Sequence, residues 1–107
     1  MHGLMMDFPL TLPVIFRHAE RVFPRREIVT RRADKSLHRC TLADFAVRTR
    51  KLATALQGLG VRDGDRVATL CWNHHQHLEA YFGVSITGAV LHTLNLRLHP
   101  DELAFIV

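Results

Sequence analysis

The sequence predicts an α/β fold organised around a strand–helix–strand unit at residues 64–96. Residues 66–72 and 89–94 are short, nearly continuous apolar runs, which are typical of strands covered on both faces in a parallel sheet. Residues 73–88 lie between them and have helical spacing of apolar side chains. Because such connections are almost always right-handed, we expect a right-handed βαβ unit with parallel strands that are adjacent or nearly so.

Residues 1–24 are predicted to form an extended lead-in and the first helix. Thr11 is a suitable N-cap, and Pro13 falls in the first turn, where proline is tolerated. Apolar residues then recur at helical spacing, which predicts one face that docks on a core. They are Leu12, Ile15, Phe16, Ala19, Val22 and Phe23. Pro24 is expected to end the helix.

Residues 25–40 are predicted to form a β-hairpin with arms at residues 27–32 and 36–40. The short turn Ala33-Asp34-Lys35 separates the arms, and the first arm contains β-favouring residues. This hairpin is expected to lead directly into the longest helix.

Residues 41–60 are predicted to form that long helix. Thr41 and Asp44 resemble a capping box, and Gly60 is well placed for a left-handed residue after the last turn. The apolar repeat is Leu42, Phe45, Leu52, Leu56 and Leu59. A coiled-coil seam is the alternative, but the repeat spans fewer than three heptads and Thr49 interrupts it. Docking on a sheet is the interpretation we favour.

Within the βαβ unit, Asn73 and Gln76 predict a capping box at the start of the helix, and Gly88 predicts its end. The predicted inward stripe consists of Leu78, Tyr81, Phe82 and Ile86.

Residues 100–107 predict the start of a final helix. Pro100 fits its first position, and Asp101 and Glu102 suit the positive end of its dipole. The pattern stops after about two turns on Phe105-Ile106-Val107, which is a poor helix terminus. We therefore expect the helix, and the domain, to be incomplete in this sequence.

Composition indicates a globular protein, with 48% hydrophobic and 22% charged residues in a 107-residue chain. The sequence has no run of the roughly 20 apolar residues that a membrane span requires. The start of the chain lacks a basic signal-peptide region, and Cys40 and Cys71 lack CxxC spacing, so a reducing, cytoplasmic setting is predicted. The net charge of +4 includes paired arginines, which is compatible with nucleic-acid binding. Interleaved acidic residues favour solvated faces instead, so no nucleic-acid partner is predicted.

The residues offer little catalytic chemistry. His74 and His77 with Glu79 could be considered as metal ligands, but no further ligand is spaced to complete a site, and no metal is predicted. No GxGxxG or GxxxxGK[ST] phosphate loop occurs, and neither Ser36 nor Ser85 lies in a nucleophile elbow. Cys71 could be reactive at the end of a strand, but a buried and inert thiol is favoured. We predict no catalytic and no cofactor-binding residue.

The end of the first strand of the βαβ unit suggests a ligand-binding position. Ligands of open α/β sheets bind beyond the carboxyl ends of the strands. Trp72, Asn73 and His74 follow such an end, so we predict them as candidates for the rim of a substrate pocket, with simple capping and packing as the alternative.

Motifs along the whole chain resemble the N-terminal part of the adenylate-forming, AMP-binding acyl-CoA synthetases, and above all bacterial medium- and long-chain fatty acid–CoA ligases. The motifs are Leu4–Pro13 as LMMDFPLTLP, His38–Phe45 as HRCTLADF, Leu56, Leu59-Gly60-Val61, Gly64–Leu70 as GDRVATL, Trp72-Asn73-His74, His77-Leu78-Glu79, Tyr81-Phe82, Gly88–Asn95 as GAVLHTLN, Arg97-Leu98, Pro100, Glu102-Leu103 and Ile106. Cys40, Leu96 and His99 depart from the usual pattern.

This resemblance implies that the chain is an incomplete part of a large N-terminal domain. In such ligases a fatty acid carboxylate attacks the α-phosphate of ATP, releasing pyrophosphate, and the thiol of coenzyme A then displaces AMP. The implied full-length protein uses ATP, Mg²⁺ and coenzyme A. The family's catalytic motifs do not occur in this chain, so it is expected to be inactive alone and to bind no cofactor itself. A homodimer through the N-terminal region is also implied. The alternative is a non-catalytic α/β binding or dimerisation module.

Overall fold

The computed structural model describes residues 3–107. The elements in chain order are α1 (Leu12–Val22), β1 (Glu27–Arg31), β2 (Leu37–Thr41), α2 (Leu42–Gly58), β3 (Arg66–Thr69), α3 (His75–Ile86), β4 (Val90–Thr93) and α4 (Pro100–Ile106). The predicted lead-in begins at residues 1 and 2, which lie outside the described residues. The α/β fold class is confirmed.

Two small sheets carry the strands that the structure describes. β1 and β2 pair antiparallel with Val29 opposite Arg39, which is the predicted hairpin. Lys35 closes its turn with φ of 67°. β3 and β4 pair parallel and adjacent, with Val67 opposite Leu91, as a βαβ connection requires. Both parallel strands are shorter than predicted, because the paired register ends at Thr69 and Thr93.

Three phenylalanines form the centre of the core. Phe16 of α1 and Phe45 of α2 are 4% and 3% exposed, and Phe82 of α3 packs against them. The ring centroids lie 5.6–5.9 Å apart, within the range of favourable aromatic pairs. Phe16 is the buried residue of α1, whereas Leu12, Ile15, Val22 and Phe23 of the predicted stripe are 43–51% exposed.

The two longer helices pack directly on each other. α2 faces α3 rather than the parallel sheet, so the expected docking on a sheet is wrong. Ala46, Thr49 and Ala53 are buried on the inner face of α2. A Cβ at Gly83 of α3 would lie only 3.1 Å from Leu52 Cδ2, so the small residues permit this close approach. Thr49, which interrupts the leucine pattern, is therefore part of the contact surface.

The ends of α2 follow the sequence expectation. Thr41 Oγ1 accepts from the backbone N–H of Asp44, and Asp44 Oδ2 accepts from the backbone N–H of Thr41, which forms the predicted capping box. At the other end Gly60 has φ of 96°, and the N–H of Val61 bonds to the carbonyl of Leu56. The left-handed glycine thus turns the chain towards β3.

The buried face of α3 agrees with the predicted stripe at Phe82 and Ile86, which pack on the core, and differs from it towards the start of the helix. His75, His77 and Glu79 are buried, whereas Leu78 and Tyr81 are 36% and 39% exposed. Polar partners from β2, β3 and α2 explain why these three polar residues are buried, because buried polar groups require hydrogen bonds or charge pairs. Periodicity of apolar residues alone could not reveal these partners.

Candidate functional site

A cleft of about 330 Å³ lies beyond the carboxyl ends of β3 and β4. Because β3 and β4 are parallel, both strands end at this edge, where ligands of α/β proteins commonly bind. We call it the strand-end cleft. Its lining residues are Cys71, Trp72, Asn73, His77, Tyr81, Thr93, Leu94, Asn95, Leu96 and Arg97.

The predicted rim residues lie between β3 and α3. Trp72 and Asn73 line the strand-end cleft, and Trp72 is 67% exposed. His74 is the N-cap of α3 and lies outside this cleft. Its Nδ1 accepts from the backbone N–H of His77 at 3.2 Å. The expected N-cap role of Asn73 is therefore wrong, because the helix begins one residue later than predicted.

His77 fixes this corner of the molecule. Asn73 Oδ1 can only accept, so His77 Nδ1 donates to it at 3.2 Å. His77 Nε2 then accepts from the hydroxyl of Thr69, at 3.1 Å. The imidazole is 6% exposed, and its centroid lies 5.0 Å from that of Tyr81. One buried side chain thus ties the end of β3 to the loop that carries Trp72.

Sequence reasoning missed most of this site. The sequence indicates His77 only as a possible metal ligand and Tyr81 only as a core residue, and it predicts no site role for Asn95 or Arg97. The four-residue spacing of Asn73 and His77 is a sequence signal for this contact, because it places the amide near the imidazole on the first turn of the helix. Cys71, expected to be buried, is partly exposed in the cleft wall.

A second cleft lies on the other side of the loop that carries Trp72, between the hairpin and the start of α3. We call it the hairpin cleft. Its volume is about 470 Å³. Its lining residues are Thr30, Arg31, Arg32, Ala33, Trp72, Asn73, His74, His75 and Gln76. Trp72 and Asn73 therefore lie between the two clefts.

Polar contacts hold the hairpin and α2 against α3. His38 of β2 stacks on His75, with centroids 3.9 Å apart, and Arg32 Nη2 donates to His38 Nδ1 at 3.0 Å. Burial, followed by the nearby His38, lowers the pKa of His75. Glu79, with a side chain 7% exposed, accepts from Arg48 Nε at 2.6 Å. The pairing with Glu79 raises the pKa of Arg48.

The described residues do not build a metal centre. Within residues 3–107 no group of three His, Cys, Asp or Glu side chains is placed to hold a metal ion. His74 and His77 are instead engaged with each other and with Asn73 and Thr69.

The sequence matches a known protein family over most of its length. Residues 16–107 match the family described as AMP-binding enzyme. The chain belongs to this family. As an AMP-binding family member, it is 50% identical over 103 residues to the long-chain-fatty-acid–CoA ligase of Thermus thermophilus, covering 96% of this chain and 19% of that ligase. It is 36% identical over 107 residues to the medium-chain-fatty-acid–CoA ligase of Ectopseudomonas oleovorans, covering 100% and 20%.

A solved structure is also similar to this chain in fold. The N-terminal domain of FACL13 from Mycobacterium tuberculosis superposes with a TM-score of 0.81 at 28% identity, covering 92% of this chain and 24% of that one. The resemblance drawn from the sequence motifs is confirmed. The chain spans about a fifth of the length of the curated relatives it matches.

Proposed function

We propose that residues 1–107 form part of the N-terminal domain of a fatty acid–CoA ligase. The complete protein would join a fatty acid carboxylate to the α-phosphate of ATP, releasing pyrophosphate. The thiol of coenzyme A would then attack the acyl carbon and release AMP. The observation that carries this proposal is the 50% identity over 103 residues to a long-chain-fatty-acid–CoA ligase.

The role we propose for this chain is structural and rim-forming. The strand-end cleft lies beyond the ends of two parallel strands, and Trp72 and Asn73 line its rim. His74 caps the helix behind them. None of these side chains is an activated nucleophile or base, so the isolated chain is expected to be inactive. ATP, Mg²⁺ and coenzyme A belong to the complete ligase.

The cellular setting and the other partners are also proposals. Both cysteines are free thiols, which supports the cytoplasm. No helix within residues 3–107 has the length and apolar character needed to cross a membrane. Arg39, Arg48 and Arg50 pair with carboxylates, which reduces the charge available to a nucleic-acid backbone.

A second candidate is a non-catalytic dimerisation module. Exposed apolar side chains in the lead-in support it, since Leu4, Met5 and Met6 are 108%, 88% and 52% exposed. Unpaired apolar surface of this kind favours association. In the complete ligase the same lead-in would serve a homodimer contact.

A segment exchange tests the ligase proposal. The matched segment of the Thermus thermophilus ligase is replaced by this chain, and acyl-CoA formation from palmitate, ATP and coenzyme A is measured. We expect the chimera to be active and the isolated chain to form no acyl-CoA. A chimera that carries His77→Ala should lose activity, whereas Gln57→Ala, on the far end of α2, should not.

Two outcomes would contradict the proposal. A chimera that folds cooperatively but forms no acyl-CoA would show that the chain cannot replace the ligase segment. Thioester formation by the isolated chain would show that the expected inactivity is wrong. Sedimentation and thermal melting of the isolated chain distinguish the second candidate from the ligase proposal. A stable dimer that melts cooperatively would favour the dimerisation module.

A further inference from the structure

A cavity of about 110 Å³ adjoins the three central phenylalanines of the core. We call it the core cavity. Helices α1, α2 and α3 and the first strand of the hairpin all contribute to its wall. Its lining residues are Phe16, Ala19, Glu20, Ile28, Leu42, Phe45, Leu78 and Phe82. It shares no lining residue with the strand-end cleft or the hairpin cleft, so it is a third and separate space in the molecule.

The wall of the core cavity offers little to a polar molecule. Seven of the eight lining residues carry apolar side chains, and two of their rings, Phe16 and Phe45, are 4% and 3% exposed. A buried water molecule needs roughly two to four polar partners. The apolar wall does not supply them, so we expect the core cavity to hold no ordered water.

The charged residue of the wall is paired with a residue outside it. Both carboxylate oxygens of Glu20 accept hydrogen bonds from the guanidinium group of Arg50, one of them from Nη1 at 2.6 Å. Arg50 also lies over the ring of Phe16, with its Cζ 5.3 Å from the ring centroid. The hydrogen bond from Arg50 lowers the pKa of Glu20, so the carboxylate stays ionised and paired at neutral pH. Among the described lining residues, no unpaired charge is left to attract an ionic ligand.

Size and lining together define the guest. Pockets for drug-sized ligands have volumes of roughly 300–1,000 Å³, so the core cavity is too small for such a ligand or for a long acyl chain. A dry apolar cavity of about 150 Å³ is known to bind benzene or xenon. A guest of this kind restores the dispersion contacts that an empty space lacks.

We propose that the core cavity binds one small, uncharged, apolar molecule that is no larger than benzene. The guest packs against the rings of Phe16, Phe45 and Phe82. This binding does not depend on the proposed ligase function, because it involves neither the strand-end cleft nor a charged substrate.

Xenon and benzene test the proposal on the 107-residue chain. Nuclear magnetic resonance follows the methyl signals of Ile28, Leu42 and Leu78 under xenon pressure and during a titration with benzene. We expect saturable shifts of these signals, whereas those of Val90, which is 54% exposed and lies outside the core cavity, should stay unchanged. Naphthalene, which is too large, and octanoate, which is charged, should each bind at least about ten-fold more weakly than benzene.

A pair of matched substitutions locates the binding. Ala19→Leu fills the core cavity from α1 and should weaken xenon binding at least about ten-fold. Ala55→Leu adds the same atoms at an exposed position of α2, so it should bind xenon as the parent chain does.

Three outcomes would overturn the proposal. They are the absence of xenon-induced shifts in the parent chain, equal xenon binding by Ala19→Leu and the parent, and binding of naphthalene or octanoate as tight as that of benzene. If circular dichroism shows that Ala19→Leu has unfolded, Ala19→Val decides in its place, because it adds a smaller side chain to the same wall.

Discussion

The two regions of this chain bury their apolar side chains very differently. The packed region comprises α1, the hairpin, α2 and α3, and its three central phenylalanines contact one another. The open region comprises β3, β4 and α4. Val90 of β4 is 54% exposed and Phe105 of α4 is 91% exposed. α4, which is described over its whole length, buries none of its side chains.

This difference separates the stability of the chain from its candidate site. Two-stranded sheets are marginal in water, so β3 and β4 depend on α3 and on further contacts. The strand-end cleft nevertheless lies in this open region, at the ends of both strands. The rest of the packed region holds α3 in place, and His77 of α3 in turn holds the loop that carries Trp72.

The largest expected effect comes from matched phenylalanine substitutions in the two regions. Phe45→Ala removes a ring that is 3% exposed, and we expect it to lower the free energy of unfolding by about 3–5 kcal/mol. Phe105→Ala removes a ring that is already in water, so its effect should stay within about 0.5 kcal/mol. Urea denaturation followed by circular dichroism measures both. Similar losses for the two variants would contradict the division into packed and open regions.

A smaller effect is expected from matched substitutions at helix caps. Thr41→Ala removes the capping box of α2 and should cost about 1 kcal/mol of global stability. His99 caps α4 in the same way, its Nδ1 accepting from Asp101 N–H at 3.3 Å. Because α4 is not packed, His99→Ala should leave urea unfolding unchanged.

Amide hydrogen exchange detects the local consequence of the second substitution. His99→Ala should speed exchange within α4 and leave α2 unaffected, whereas Thr41→Ala should raise exchange throughout the packed region. If His99→Ala lowers global stability as much as Thr41→Ala, then α4 is coupled to the core and the open region is not independent.

These caps also show what the sequence could and could not predict. Thr41 and Asp44 were predicted as a capping box because both partners lie within one turn. Local chemistry likewise predicted the turn at Lys35 and the left-handed Gly60. His74 was missed as an N-cap because imidazole is an uncommon capping group and Asn73 precedes it.

Long-range partners account for the larger errors. Glu79 is buried because Arg48, 31 residues earlier, pairs with it. His75 is buried because His38 of the hairpin stacks on its ring. Neither contact can be predicted from the local spacing of apolar residues. The rim position of Trp72 followed from a rule about strand ends, but the tie from His77 to Thr69 required the fold.

The smallest expected effect concerns the pH dependence of the packed region. His75 faces His38, His74, Glu79 and Arg48, and its pKa is lowered from the ordinary value of 6.5, first by burial and then by His38. The folded chain therefore binds fewer protons here than the unfolded chain. This contribution to stability is complete above pH 6.5 and is lost as the pH falls from there through the lowered pKa.

The variant His75→Phe isolates this contribution, because it keeps a ring against His38 and removes the titrating group. Urea unfolding is compared at neutral pH and at about pH 5, above the range where the carboxyl groups of Glu20 and Asp44, whose pKa values are lowered, become protonated. We expect the parent chain to lose more stability on acidification than His75→Phe does. Gln76→Ala, at the exposed neighbouring position, should retain the parent's pH dependence. An unchanged slope in His75→Phe would mean that the buried imidazole does not contribute to the acid sensitivity of the packed region.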